Sequence, residues 1–149
     1  MQNIKIFNSR EKKRFIEKIK EQYCIKDFDL DYIVLKNNKD RIFLLSNKFK
    51  DLDAKNLRIN LIGMYFAKLQ DNSVRLTIEG SQMIGDKAEN VIELNKSEID
   101  KWMRGYDIET DKNFSNFAII RYNNDFYGTG KVKNGKILNY VPKDRQIKK

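Results

Sequence analysis

The chain of 149 residues has no histidine, a single cysteine, a single proline and seven glycines. Without histidine, the side chain that most often serves as general base and metal ligand near neutral pH is missing. With Cys24 alone, no internal disulfide can form and no cysteine cluster can hold zinc, so Cys24 is read as a small packed hydrophobe. No apolar run approaches the ~18 residues of a membrane span. The opening MQNIKIFNSR lacks the apolar stretch of a secretory leader, and a soluble cytoplasmic protein with no membrane partner is expected. The lone Pro142 follows the last β-like run, where a missing backbone donor does little harm. There is no internal repeat and no low-complexity linker.

What is present argues for a folded chain. Hydrophobic residues make up 40% and aromatics 11%, too many for intrinsic disorder despite 34% charged residues. The length suits one domain or two small lobes sharing an interface. A net charge of +9 attracts polyanions, of which nucleic acid is the usual intracellular example. A lysine-rich solubilising surface would carry the same sign, so charge alone does not decide. Its distribution says more: Lys131, Lys133, Lys136, Lys143, Arg145, Lys148 and Lys149 face a single acid, Asp144, in the last stretch of the chain.

Along the chain, Ser9 can cap an amphipathic helix whose apolar residues Phe15, Ile16, Ile19 and Tyr23 recur at three and four. DYIVL and RIFLLS flank Lys36-Asn37-Asn38-Lys39-Asp40 as a hairpin, and residues 57–69 pair with VRLTIE (74–79) across Asp71-Asn72-Ser73. Gly63 is expected to mark a bulge or close packing, and GSQMIG a short helical turn before a boundary near Asp86. VIEL is the next strand. Asn95 with Glu98 forms a capping box for KSEIDKWMRG, a helix with an Ile99, Trp102 and Met103 stripe that Gly105 ends. FAIIRY, FYGTGKVK and KILNYV then alternate with the turns NND and Asn134-Gly135.

No nucleophile with its base, no Walker loop and no dinucleotide fingerprint is present. GTG at 128–130 lies among strand residues instead of opening a helix, and the alternating Asp27, Asp29 and Asp31 lack the glycine and terminal glutamate of a calcium loop. The chain is therefore read as a non-enzyme with no cofactor. For RNA the material is better: KVKNGK and PKDRQIKK place cations beside a hairpin, with Tyr122, Tyr127 and Tyr140 near enough to offer stacking faces, although most strand aromatics pack inward.

The segment RIFLLS, LIGMYFAKL, VRLTIEG resembles the N-terminal lobe of the small PUA proteins of large-ribosomal-subunit assembly. Leu61, Gly63, Phe66, Lys68, Arg75 and Leu76 stand in that family's pattern, with Ile62 inserted. VIEL, the WMRG helix and FAIIRYNNDFYGTGKV resemble the strand, helix, glycine and Gly-x-Gly hairpin order of a PUA domain. NYVPKDR is closer to the tail of the PUA-like domains of RNA cytosine methyltransferases, with Val141 and Gln146 departing from it. The resemblance implies an α+β protein: an N-terminal pre-PUA α+β lobe (1–86) followed by a small PUA-like β-barrel with one short helix (87–149). It also implies binding of rRNA or tRNA through Arg104, Gly105, Lys131, Lys133, Lys143 and Arg145. An RNA-modifying enzyme or ribosome-assembly protein is the expected partner of the N-terminal lobe. The alternative is a protein-interaction subunit that does not bind RNA.

Overall fold

The computed structural model describes residues 4–49, 63–114 and 116–147. Their strands form two five-stranded sheets. The first is antiparallel, ordered β1 (Lys5–Ile6), β2 (Ile33–Lys36), β3 (Arg41–Leu45), β4 (Met64–Gln70) and β5 (Ser73–Leu76). The second, a curled half-barrel, has the order β6 (Val91–Glu93), β8 (Phe117–Tyr122), β9 (Asp125–Lys133), β10 (Lys136–Asn139) and β7 (Ile108–Glu109). Only β6 and β8 run parallel. Helices α1 (Ser9–Tyr23), α2 (Ile78–Ile84) and α3 (Lys96–Met103) complete an α+β architecture.

Local chemistry accounts for most of these elements. Helix α1 buries Phe15, Ile16, Ile19 and Tyr23, as its periodicity dictates. Its cap is Asn8 and not Ser9: the Asn8 side chain accepts from the Glu11 amide at 2.8 Å while the Glu11 carboxylate accepts from the Asn8 amide at 3.0 Å. This reciprocal box needs glutamate three residues on, which Ser9 lacks. At the other end Cys24 takes a left-handed conformation (φ 55°) and is exposed, not packed. The boxed Asn95–Glu98 start of α3 forms as expected.

The hairpin turns Asp71-Asn72, Asn123-Asn124 and Asn134-Gly135 hold both central residues at positive φ, the requirement of a two-residue turn matched to strand twist. Strand β5 ends at Leu76 instead of Glu79, because the Thr77 hydroxyl accepts from the Gly80 amide and starts α2 there. The bulge of β4 falls at Phe66, between the pairs Ile42–Ala67 and Phe43–Tyr65, and not at Gly63. The expected strand over 57–62, with Leu61 and Ile62, lies outside the described residues.

The strands divide between residues 76 and 91, but the cores do not. Phe117, Ile119 and Phe126 of the second sheet pack in one cluster with Phe15, Ile19, Phe66 and Val74. The opposite face of that sheet, Ala118, Ile120 and Ile137, packs on Trp102 and Ile99 of α3. A sheet covered on both faces needs a continuous apolar run, which is why FAII is buried at every position. The junction is also hydrogen-bonded: Thr129 Oγ1 donates to the Leu76 carbonyl at 2.9 Å, and the Gly128 amide donates to Ser81 Oγ at 2.8 Å. The buried Gln22 side chain exchanges two bonds with the Val74 backbone, at 2.7 and 2.8 Å, standing in for a strand partner at the β5 edge.

Candidate nucleic-acid interface

The five cations and one glycine singled out by the resemblance fall in three settings. Lys133, at the end of β9 beside the Asn134-Gly135 turn, and Lys143, on the 3-10 turn after Pro142, are exposed and have no ion pair among the described residues. Lys131 lies 3.6 Å from Asp71 of the first sheet, its ammonium 5.9 Å from the centre of the Phe117 ring. Arg145 pairs with Glu79 of α2, tying the tail to the first half of the chain.

Arg104 sits elsewhere. It closes α3, bonded to Asp100 at 3.1 Å, in a groove shared with Glu98, Asp107 and Glu109. Its Nη1 is buried without a hydrogen-bond partner among the described residues. Gly105 follows at φ 93°, and the Gln146 side chain lies where a Cβ would be. The Ile147 amide donates to the Met103 carbonyl at 2.7 Å, so the tail returns to the end of α3. Asn139 completes this corner: its side-chain amide donates to the carbonyls of Trp102 and Tyr106 at 2.8 and 2.9 Å. The Trp102 carbonyl also accepts from the Gly105 amide at 3.0 Å, so Asn139 adds a second bond to the turn that ends the helix. Sequence reasoning passed over Asn139, although its place in NYVPK beside the expected tail was a usable signal.

The tyrosines divide as well. Tyr122 and Tyr127 lean on the Trp102 cluster, whereas Tyr140 meets the edge of Phe117 at 5.5 Å and carries the Arg75 guanidinium 4.9 Å from its ring centre. A second such stack, Arg41 over Tyr65 at 5.5 Å, stands nearby. Both line one cleft of about 450 Å³ between the two halves, with Arg145 and Glu79 at its wall. A separate, more open groove of about 790 Å³ runs along α1, where Arg10, Lys13, Arg14 and Lys18 alternate with Glu17 and Glu21.

Other sequence features have structural duties. Gly130 makes room for Trp102 and Ile137. Asp29 accepts from the Leu30 amide and Asp31 from Asn47. Among the described residues no group of three or more histidine, cysteine, aspartate or glutamate side chains is placed to hold a metal, and no helix is long and apolar enough to cross a membrane.

No curated protein matches the chain. Residues 89–147, which span the whole second sheet, α3 and the tail, match the family model described as the methyltransferase RsmF PUA domain. This part of the chain is therefore similar to the PUA-like domains of RNA cytosine methyltransferases, in keeping with the PUA-domain family.

Proposed function

We propose that the protein is a non-catalytic, cytoplasmic RNA-binding factor that acts on rRNA or tRNA in RNA modification or ribosome biogenesis. The observation that carries this reading is the likeness of residues 89–147 to a methyltransferase PUA domain, which favours modification over assembly. The net charge of +9 supports it, as does the exposure of Lys133 and Lys143. The first sheet and α1 then serve as the surface that docks an RNA-modifying enzyme or assembly protein.

One observation favours the other reading, an interaction subunit without RNA: Arg104 and Lys101 share their groove with four acids, Glu98, Asp100, Asp107 and Glu109. That surface repels phosphate and suits a basic protein segment.

Salt separates the two. Replacing Lys143 and Arg145 with alanine should leave folding intact, since exposed charges and their ion pairs contribute little. RNA affinity should fall, and the slope of log affinity against log salt should become shallower by roughly one to two units for two lost phosphate contacts. The control Lys26→Ala with Lys87→Ala removes equal charge from exposed positions outside the described grooves. Equal weakening by both double variants would reduce the effect to net charge and leave the interaction-subunit reading in place.

A further inference from the structure

We propose that the cleft between the two halves is a pocket for one unstacked nucleotide, its base laid on the Arg75–Tyr140 stack and its phosphate held by Arg41 and Arg145. This rests on the RNA reading above and extends the site to residues outside the matched span 89–147. The cleft, about 450 Å³, is within the roughly 300–1,000 Å³ usual for small-ligand sites.

Its chemistry is that of a stacking site. Arg75 and Arg41 each lie over a tyrosine, at 4.9 and 5.5 Å, and neither has a carboxylate partner among the described residues. A guanidinium placed over a ring can offer its outer face to a base, while its N–H groups remain free for phosphate. Arg145 adds a third cation whose partner, Glu79, is itself half exposed, so phosphate can compete for it.

The same geometry says what the pocket ignores. The hydroxyl of Thr77 is committed to the carbonyls of Tyr65 and Phe66, and that of Thr129 to the carbonyl of Leu76. The threonines that line the cleft therefore have no donor left for a base edge. Stacking accepts any base that is unpaired, because a base inside a duplex has no exposed face, and any edge readout falls to Tyr65, Tyr140, Glu79 or Asp144 on the cleft wall. The shared ligand chemistry is a nucleotide, whether a residue of single-stranded RNA or a free monophosphate.

The test compares three probes on the full chain: a six-nucleotide single-stranded RNA of mixed sequence, a blunt RNA duplex, and adenosine monophosphate. Arg75→Gln and Arg41→Gln should each weaken the single strand roughly tenfold, the loss of one stacked base, and leave the duplex unchanged. A 2-aminopurine in the hexamer should be quenched by the wild-type protein and less so by Arg75→Gln. Competition by the monophosphate only at far higher concentration than the hexamer identifies an RNA residue as the occupant; comparable competition identifies a free nucleotide. If Arg75→Gln and Arg41→Gln bind the hexamer as the wild type does while Lys131→Ala with Lys133→Ala loses it, the pocket is overturned and RNA binding stands. If the Lys26→Ala, Lys87→Ala control weakens the hexamer as much as Arg75→Gln, only net charge was measured and the pocket is overturned. If the wild type binds none of the three probes at low salt, the RNA reading fails and the pocket with it.

Discussion

Trp102 is the largest fully buried side chain of the fold, and its removal should be felt at once. The indole N–H donates to the Tyr127 carbonyl at 2.9 Å, and the ring fills the space left by Gly130. A buried tryptophan hides about 200 Å², worth roughly 5 kcal/mol by area, an upper figure because unfolded chains already bury some of it. Truncations of this kind cost about 3–5 kcal/mol, and leaving the Tyr127 carbonyl without its donor adds about 1 kcal/mol. Trp102→Ala should therefore lose about 4–6 kcal/mol, a large part of the 5–15 kcal/mol typical of a domain. For a chain of this size that lowers Tm by roughly 10–15 °C. Trp102→Phe keeps much of the ring and loses mainly the hydrogen bond, so it should fall between the two. Circular dichroism during heating and urea titration reads both variants without depending on tryptophan fluorescence. A Trp102→Ala protein that melted like its parent yet lost RNA binding would make Trp102 a contact residue and refute the packing argument.

Gly130→Ala should destabilise by roughly 1–3 kcal/mol through overpacking, because the added Cβ would meet Ile137, the Leu138 carbonyl at 2.8 Å and the Trp102 ring at 2.8 Å. Combining it with Trp102→Phe should cost less than the two separately, since the ring atom it strikes is gone; strict additivity in urea unfolding would show that the two do not touch. Tyr23 supplies a pH signature: burial pushes its hydroxyl well above the usual tyrosine range, against the lowering effect of its hydrogen bonds. Its stabilising contribution is full below pH ~10, where the unfolded tyrosine is also protonated. Above that the unfolded chain loses a proton that the native state keeps, so stability should fall by up to ~1.4 kcal/mol per pH unit. Tyr23→Phe, less stable at pH 7 for want of its bond to the Val74 carbonyl, should lose less than the parent between pH 9 and 11. Parallel losses would show that Tyr23 ionises alike in both states.

The elements that could be read from residues alone were those whose cause is local. Positive-φ turns at Asn134-Gly135, the Asn95–Glu98 box and the α1 stripe are each decided within a few neighbouring residues. Where two local readings compete, position alone does not choose. Thr77-Ile78-Glu79 continues a β-prone run yet becomes helix, because the Thr77 hydroxyl also bonds the Tyr65 and Phe66 carbonyls of the neighbouring strand. Cys24 is exposed for a similar reason: it takes the left-handed cap that ends α1, its amide donating to the Lys20 carbonyl, and its own hydrophobicity does not decide its place.

The candidate site shows the same limit more sharply. A run of cations near the end of the chain is visible in any reading, but which charges are free depends on partners far away in sequence: Asp71 for Lys131 and Glu79 for Arg145. Exposed pairs of this kind are worth only about 0–1 kcal/mol, so they shape the surface potential without preventing exchange for a phosphate. Arg104 is the opposite case, since its four acidic neighbours come from its own helix and the turn and strand after it. There the local sequence did carry the information, and the family resemblance outweighed it. The Arg75–Tyr140 and Arg41–Tyr65 stacks had no local trace at all: their members sit on three strands of the first sheet and beyond the last strand of the second. Only the shared core that presses β5 against β8 and β9 brings them to one cleft. Any RNA surface that includes this cleft is therefore a property of the two halves together, which the matched span 89–147 cannot supply by itself.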